Sequence, residues 1–379
     1  MEGLALAWEP HHVEHLAPWC EALGFPMLLP EQPDLAPAAR VYPGVAVERL
    51  AGWTMPQTIG QLRAAVRKRG ARVVLYSDLF GRNALRALFG GRRDAPRVAY
   101  VPHGFSEKRQ DWARGTAFQD IAVLYGQHAF DQLVALGVAP YLHHFLVSGN
   151  LRRAYHARHA AWFGSLLEPL GLAGARPGRT LLYAPTWQDA IGSSSFFRAF
   201  AGFVGALPAD WRLIVKLHPH LERYAQALDE LAVLTRGRDV HLVRASPLTY
   251  PFLELADAYV GDMSSLAYDY LAYGRPMFFT NGKAGEASDA AGSRLFACGT
   301  VIAQERVGDL YRIVDDAWAT DGERFGEARA ALDRYTHAPE RSADDLAGEM
   351  RFLATGPAPT WMYAKLDPPA VSHRGQNGI

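Results

Sequence analysis

Cysteine is nearly missing: Cys20 and Cys298 are the only two in 379 residues. That excludes a disulfide scaffold and a Cys-based zinc site, and it suits a reducing compartment. There is no excess of either charge, since Lys plus Arg and Asp plus Glu both number 39. A generally basic nucleic-acid binder is therefore not expected, although a local basic patch is compatible with the count. No apolar run reaches the ~20 residues needed to span a bilayer. The N-terminus has no basic segment leading into an apolar one, so a signal peptide is not expected either. The expected location is cytoplasmic, with any membrane contact peripheral. What is present is ordinary globular material: 49% apolar, 21% charged and 11% aromatic. At roughly 100–200 residues per domain the length implies two domains.

Short apolar runs alternate with helix-spaced segments. Leu4 to Trp8, Phe25 to Leu29, Val73 to Tyr76 and Val98 to Val101 read as strands. His11 to Leu23, stopped by Gly24, and Gln57 to Arg69, stopped by Gly70, read as helices. This rhythm argues for a parallel, doubly wound sheet. It pauses at Gly171 to Gly178, rich in Gly, Ala and Pro, and then restarts. Thr180 to Tyr183, Leu213 to Lys216, Val240 to Val243, Ala258 to Val260 and Pro276 to Thr280 are strand-like, with helices over Phe196 to Leu207 and Leu221 to Leu234. The expected organisation is an N-terminal domain over 1–170, a linker over 171–178 and a second α/β domain over 179–305. C-terminal helices over 306–355 and a loosely ordered tail over 356–379 follow. Open α/β sheets bind ligands beyond their strand carboxyl ends, so a cleft between the halves is the expected site.

Four strand ends carry polar residues. Pro102-His103-Gly104 places an imidazole beside a glycine that permits close approach, with Lys108 five residues on; the plain alternative is a turn with a surface histidine. Tyr183-Ala184-Pro185-Thr186-Trp187 offers a hydroxyl and loop amides for an anion. Lys216-Leu217-His218-Pro219-His220 ends an apolar strand in three basic or imidazole groups, a pattern suited to phosphate. The His218/His220 pair is poor metal-ligand evidence, because only Glu222 is near it in sequence. Asp262-Met263-Ser264-Ser265 leads into a helix over Leu266 to Tyr273. The serines sit where a cap and first-turn residues belong, and Asp269 could bind a ribose or pair with Arg275. His11, His12 and His15 cluster after the first strand; they could line the cleft, but surface positions are the expectation. The stretch from Arg63 to Arg97 is strongly basic and flanks Leu79 to Phe89, which could form an interfacial helix near anionic lipid.

The ordered set of His103-Gly104 with Lys108, Ala184-Pro185-Thr186-Trp187, Leu217-His218-Pro219, and Asp262-x-Ser264-Ser265 with Asp269-Tyr270-Leu271 and Arg275-Pro276 resembles the CDP-glycerol glycerophosphotransferase family. This family comprises the teichoic-acid primases and polymerases and their capsule relatives. The resemblance runs from about residue 98 to about residue 282. It implies a GT-B architecture, two Rossmann-like domains facing a central cleft with the nucleotide donor mainly on the second. It also implies transfer of glycerol phosphate, or a related polyol phosphate, from a CDP-activated donor to a hydroxyl of a polymer or lipid-linked acceptor, releasing CMP. By that resemblance His103 is the general base and His218 contacts the donor diphosphate. Ser264, Ser265 and Asp269 belong to the donor site. Lys216, Thr186 and His220 are further candidates on the donor side, and Lys108 and His11 on the acceptor side.

The chain departs from the family's pattern at Pro102 and Phe105 around the His-Gly pair, at Gln188, where the family has Arg, and at Met263, where it commonly has Tyr. These changes leave a ribitol phosphate or sugar donor open. The arrangement calls for no cofactor and no metal, and no carboxylate cluster of the kind that holds Mg²⁺ between phosphates stands out. Two other readings compete: a nucleotide-sugar glycosyltransferase on the same fold, and a non-catalytic GT-B-like binding module.

Overall fold

The structure is a computed structural model. It describes residues 2–52, 54–78, 95–106, 115–117, 119–174, 178–187, 194–244, 246–280 and 294–356. Lys108, Gln188, the Leu79 to Phe89 segment, residues 175–177 of the linker and the tail from 357 lie outside them.

Two parallel sheets form the framework. The first holds β1 (Gly3–Leu6), β2 (Met27–Pro30), β3 (Val47–Leu50), β4 (Val73–Tyr76), β5 (Arg97–Tyr100), β6 (Ile121–Leu124) and β7 (His144–Val147), in the order β3-β2-β1-β4-β5-β6-β7. The second holds β8 (Thr180–Ala184), β9 (Arg212–Lys216), β10 (Val240–Val243), β11 (Ala258–Gly261), β12 (Met277–Phe279) and β13 (Thr300–Val301), in the order β10-β9-β8-β11-β12-β13. Every strand of β1, β4, β8, β9 and β11 is buried along its whole length. A parallel strand covered on both faces needs a continuous apolar run rather than alternation, which is why these strands are legible. The edge strands β3 and β7 are half-exposed and mixed in composition, and the apolar-run criterion passes over them.

Strand order reverses between β1 and β4 in the first sheet and between β8 and β11 in the second. In open α/β sheets such switch points leave a crevice beyond the strand carboxyl ends. The segments following β1, β4 and β5 therefore face those following β8, β9 and β11. The helix Pro10–Leu23 starts directly after β1 with Pro at its first turn and ends at Gly24 in the left-handed region (φ 68°).

The C-terminal helices do not form a separate layer. Leu310–Trp318 packs on the second core through Leu310, Ile313 and Val314. Asp321–Thr336 and Ala343–Thr355 cross back, and Leu332, Leu346, Ala347 and Met350 join a core that residues of both sheets share. Between the sheets a buried polar seam sets their orientation. Arg152, following β7, donates from Nη2 to both carboxylate oxygens of Asp269 at 2.8 Å. The Tyr250 hydroxyl lies 2.8 Å from Asn150 Oδ1 and 3.0 Å from Asp269 Oδ1. Thr249 donates to Glu14 at 2.7 Å, and Tyr42 donates to the Pro247 carbonyl at 2.6 Å.

Candidate functional site

A cavity of about 530 Å³ opens where the two switch points meet. That size suits a nucleotide-scale ligand. Its first-sheet wall includes His11, Glu14, His15, His103, Gly104 and Arg152; its second-sheet wall includes Thr186, Trp187, Lys216, His218, His220, Ser264 and Ser265. His103 and His218 thus border one hollow.

Backbone groups of fixed polarity assign the tautomers of these two rings. His103 Nδ1 is 3.0 Å from the Ser77 carbonyl, which can only accept. Nδ1 therefore carries the proton, and in the neutral ring Nε2 has a free lone pair. The Tyr125 hydroxyl donates to the Pro102 carbonyl at 2.8 Å and anchors the turn that carries His103. His218 is the reverse. Its Nδ1 accepts the His220 backbone N–H at 3.1 Å, so its proton sits on Nε2. Burial, with smaller contributions from His220, His11, Lys216 and His103, pushes the His218 imidazolium down to about 2. The ring is neutral across the physiological range and presents an N–H donor. One histidine can take a proton; the other can give a hydrogen bond without changing charge.

Gly104 explains how the His-Gly turn meets the opposite wall. Its φ is +106°, and a Cβ placed there would lie 2.5 Å from Ser265 Cβ and 2.7 Å from Ser265 Oγ. Only glycine allows this approach. Ser264 and Ser265 open the helix Ser265–Tyr270, which a 3-10 turn over Leu271–Tyr273 continues to the end the sequence pattern suggests. Ser264 occupies the cap position but makes no side-chain cap bond; its hydroxyl is 3.0 Å from the Tyr259 hydroxyl. Asp262 holds this corner together. Its Oδ2 accepts the backbone N–H groups of Thr186 and Ser195, both at 3.0 Å, and its Oδ1 accepts from Thr280 at 3.3 Å. Lys216 donates to the Ser246 carbonyl at 3.2 Å, and burial lowers its pKa. The Trp187 and His220 rings meet edge-on at 5.4 Å.

Several expectations change. Asp269 does not line the cavity: it is 2% exposed, and its carboxylate is occupied by Arg152, Asn150 and Tyr250. Nor does it pair with Arg275, which donates instead to the carbonyls of Glu254 and Ala256. His12 and His15 are not surface residues; they are 2% and 6% exposed. Their rings and that of His11 gather around His103, with centroids 5.3 Å (His11), 5.9 Å (His12) and 6.4 Å (His15) away. Burial, followed for His15 by the Arg152 charge, and the neighbouring rings push all three imidazolium forms down, with His11 lowered to about 3.

Glu14 and Arg152 are cavity residues that the sequence reading missed. Burial raises the Glu14 carboxyl, opposed by Arg152 and the Thr249 hydroxyl. A signal existed for Glu14: His11, Glu14 and His15 stand at i, i+3 and i+4, one face of a helix. None existed for Arg152, whose approach depends on the tertiary arrangement.

Two parallel-sheet α/β domains facing one central cleft define a GT-B protein. Solved structures agree in fold. The wall teichoic acid polymerase TagF superposes with a TM-score of 0.61 at 12% identity, covering 93% of this chain and 88% of that one. A variant of that polymerase soaked with CDPG gives the same coverage. A UDP-GlcNAc 2-epimerase from Neisseria meningitidis, bound to UDP-GlcNAc, gives 0.58 at 10% identity, covering 93% and 99%. No curated protein matches by sequence. Residues 155–286 match the family model described as CDP-Glycerol:Poly(glycerophosphate) glycerophosphotransferase. The resemblance seen in the motifs is thus matched by a family model over that region, and the solved structures share the fold.

Proposed function

We propose that the protein transfers glycerol phosphate, or a closely related polyol phosphate, from a CDP-activated donor to an acceptor hydroxyl in cell-surface polymer synthesis, teichoic acid or capsule. The observation that carries this reading is the pair of opposed tautomers on one cavity: a lone pair at His103 Nε2 and an N–H at His218 Nε2. The acceptor alcohol is a poor nucleophile until its proton leaves. His103 Nε2 takes that proton as the oxygen attacks the β-phosphorus of the donor. The new O–P bond forms, the bond from the β-phosphorus to the bridging oxygen breaks, and that oxygen leaves with CMP, carrying the electron pair.

His218 Nε2–H, Lys216 and the hydroxyls of Thr186, Ser264 and Ser265 receive the diphosphate oxygens as charge moves onto the leaving group. His220 supports the same wall through its backbone N–H. His11 stands beside His103 on the acceptor side, and Lys108 belongs to the same reading. The acceptor is polymer or lipid-linked, and the enzyme works from the cytoplasmic face with peripheral contact to anionic lipid. The exposed Arg67 and Lys68 on the helix Met55–Arg69 fit that placement. Among the described residues, no helix is long and apolar enough to cross a membrane.

The test is incubation with CDP-glycerol, CDP-ribitol and nucleotide sugars together with a polyol-phosphate acceptor, followed by identification of the released nucleotide. CMP is expected, with His103→Ala slower by about 10²–10⁴-fold. Release of a nucleoside diphosphate would establish the glycosyltransferase reading instead. Binding without turnover of any donor would leave a binding module. Near wild-type turnover in His103→Ala would remove the base assignment.

A further inference from the structure

Among the described residues, one group of side chains meets at metal-ligand spacing. One nitrogen from each of His11, His12 and His103 lies within 4.8 Å of the other two. The rings come from two separate strand ends, and the His11 and His12 centroids are only 4.5 Å apart. The outer contact of His103 resembles that of a ligating histidine, which usually gives its second nitrogen to a carbonyl or a carboxylate. His103 donates Nδ1–H to the Ser77 carbonyl at 3.0 Å, leaving Nε2 free. His11 Nδ1 lies 3.3 Å from Glu9 Oε2. His12 Nδ1 receives a long 3.4 Å contact from the Trp8 backbone N–H; ligation through Nε2 would place the proton on Nδ1 and give that weak contact up.

We propose that His11, His12 and His103 bind one divalent transition-metal ion of the Zn²⁺ class. His11 and His103 line the cavity while His12 is buried behind them, so the fourth coordination position opens into the cleft. Three imidazoles with one open position suit Zn²⁺ or Co²⁺ and not Mg²⁺, which prefers oxygen ligands. The His218/His220 pair, the histidine pair most visible in the sequence, takes no part. An ion on His103 Nε2 occupies the lone pair that proton removal requires. The ion is therefore an inhibitor of the proposed transfer; this clause rests on the proposed function, whereas the binding does not.

The test uses tag-free, full-length protein stripped with a chelator. It is titrated with Zn²⁺ by calorimetry and with Co²⁺ by visible absorption. One ion per chain and the intense bands of four-coordinate Co²⁺ are expected. Affinity should fall at least about 10–100-fold in His12→Ala, the cost of disturbing even an outer partner of a ligand. Circular dichroism checks the fold, and His11→Gln and His103→Gln give the same readout if His12→Ala does not fold.

Absence of stoichiometric binding overturns the site. So does binding that persists unchanged in all three variants, or that disappears only in His218→Gln. CMP release in the presence of chelator, without any metal binding, leaves the proposed function standing and removes the site. Metal binding without CMP release does the reverse.

Discussion

Gly104→Ala probes the contact that sets His103 against the opposite wall. Two costs add. An L-residue at φ +106° sits in strained backbone, at about 1–2 kcal/mol. The new Cβ would also meet Ser265 Cβ at 2.5 Å, whereas carbon atoms rest at about 3.5–4.0 Å. Relief requires the His-Gly turn and Ser265 to separate by about 1 Å. A displacement of that size at a reacting group costs on the order of 10²-fold in rate, or about 2.7 kcal/mol of transition-state stabilisation. The expected result is a kcat/KM for CMP release lowered about 10–100-fold and a stability loss of about 1–3 kcal/mol by urea unfolding.

Ser265→Gly separates the two costs. It removes both close atoms and leaves only the Ser265 Cα, 4.0 Å from the added Cβ. In that background Gly104→Ala should retain the backbone strain but lose most of its effect on rate. A Gly104→Ala enzyme with wild-type kcat/KM and stability would refute the reasoning. So would a rate loss that is the same with and without Ser265.

Asp269→Ala should destabilise the chain by about 3–5 kcal/mol, because it leaves the Arg152 guanidinium buried and unpaired at the seam between the sheets. Nucleotide affinity measured well below the melting temperature should be nearly unchanged; a large loss there would return Asp269 to the donor site. Stability should also fall in acid. His11 and His218 titrate near 3 and 2 in the folded chain against an ordinary 6.5, so below 6.5 the unfolded chain binds more protons. Their contribution is complete above 6.5 and is lost as pH falls toward those values, by up to about 1.4 kcal/mol per pH unit for each. The raised Glu14 works in the opposite direction just above 4.5. Urea midpoints that stay flat between pH 6.5 and 5 would refute the neutral burial of these rings.

Legibility followed burial only in part. Val73 to Tyr76, buried throughout, and Val240 to Val243, mostly half-buried, are strands with the boundaries the apolar runs suggest, whereas the sequence reading passes over the fully buried Ile121–Leu124. The half-exposed edge strand Val47–Leu50 carries Glu48 and Arg49 and gives no such signal. Polar residues at strand ends were likewise readable, since the sequence places His103, Thr186, Lys216, His218, Ser264 and Ser265 just after apolar runs, and all line the cavity. Asp269 misled because a carboxylate in a motif looks the same whether it meets a ligand or an arginine 117 residues away in sequence. His12 and His15 misled because a histidine's burial depends on what packs over its helix.

The sequence by itself determined the two α/β halves, the polar strand ends and the family likeness, because hydrophobic period and local motif order are properties of the chain. Only the tertiary structure decided which imidazole nitrogen carries each proton, which carboxylate is spent on a buried arginine, and that His11, His12 and His103 converge. Those outcomes depend on backbone carbonyls, amide groups and rings brought together across distant strands. Distances of that kind are set by packing and not by any local pattern.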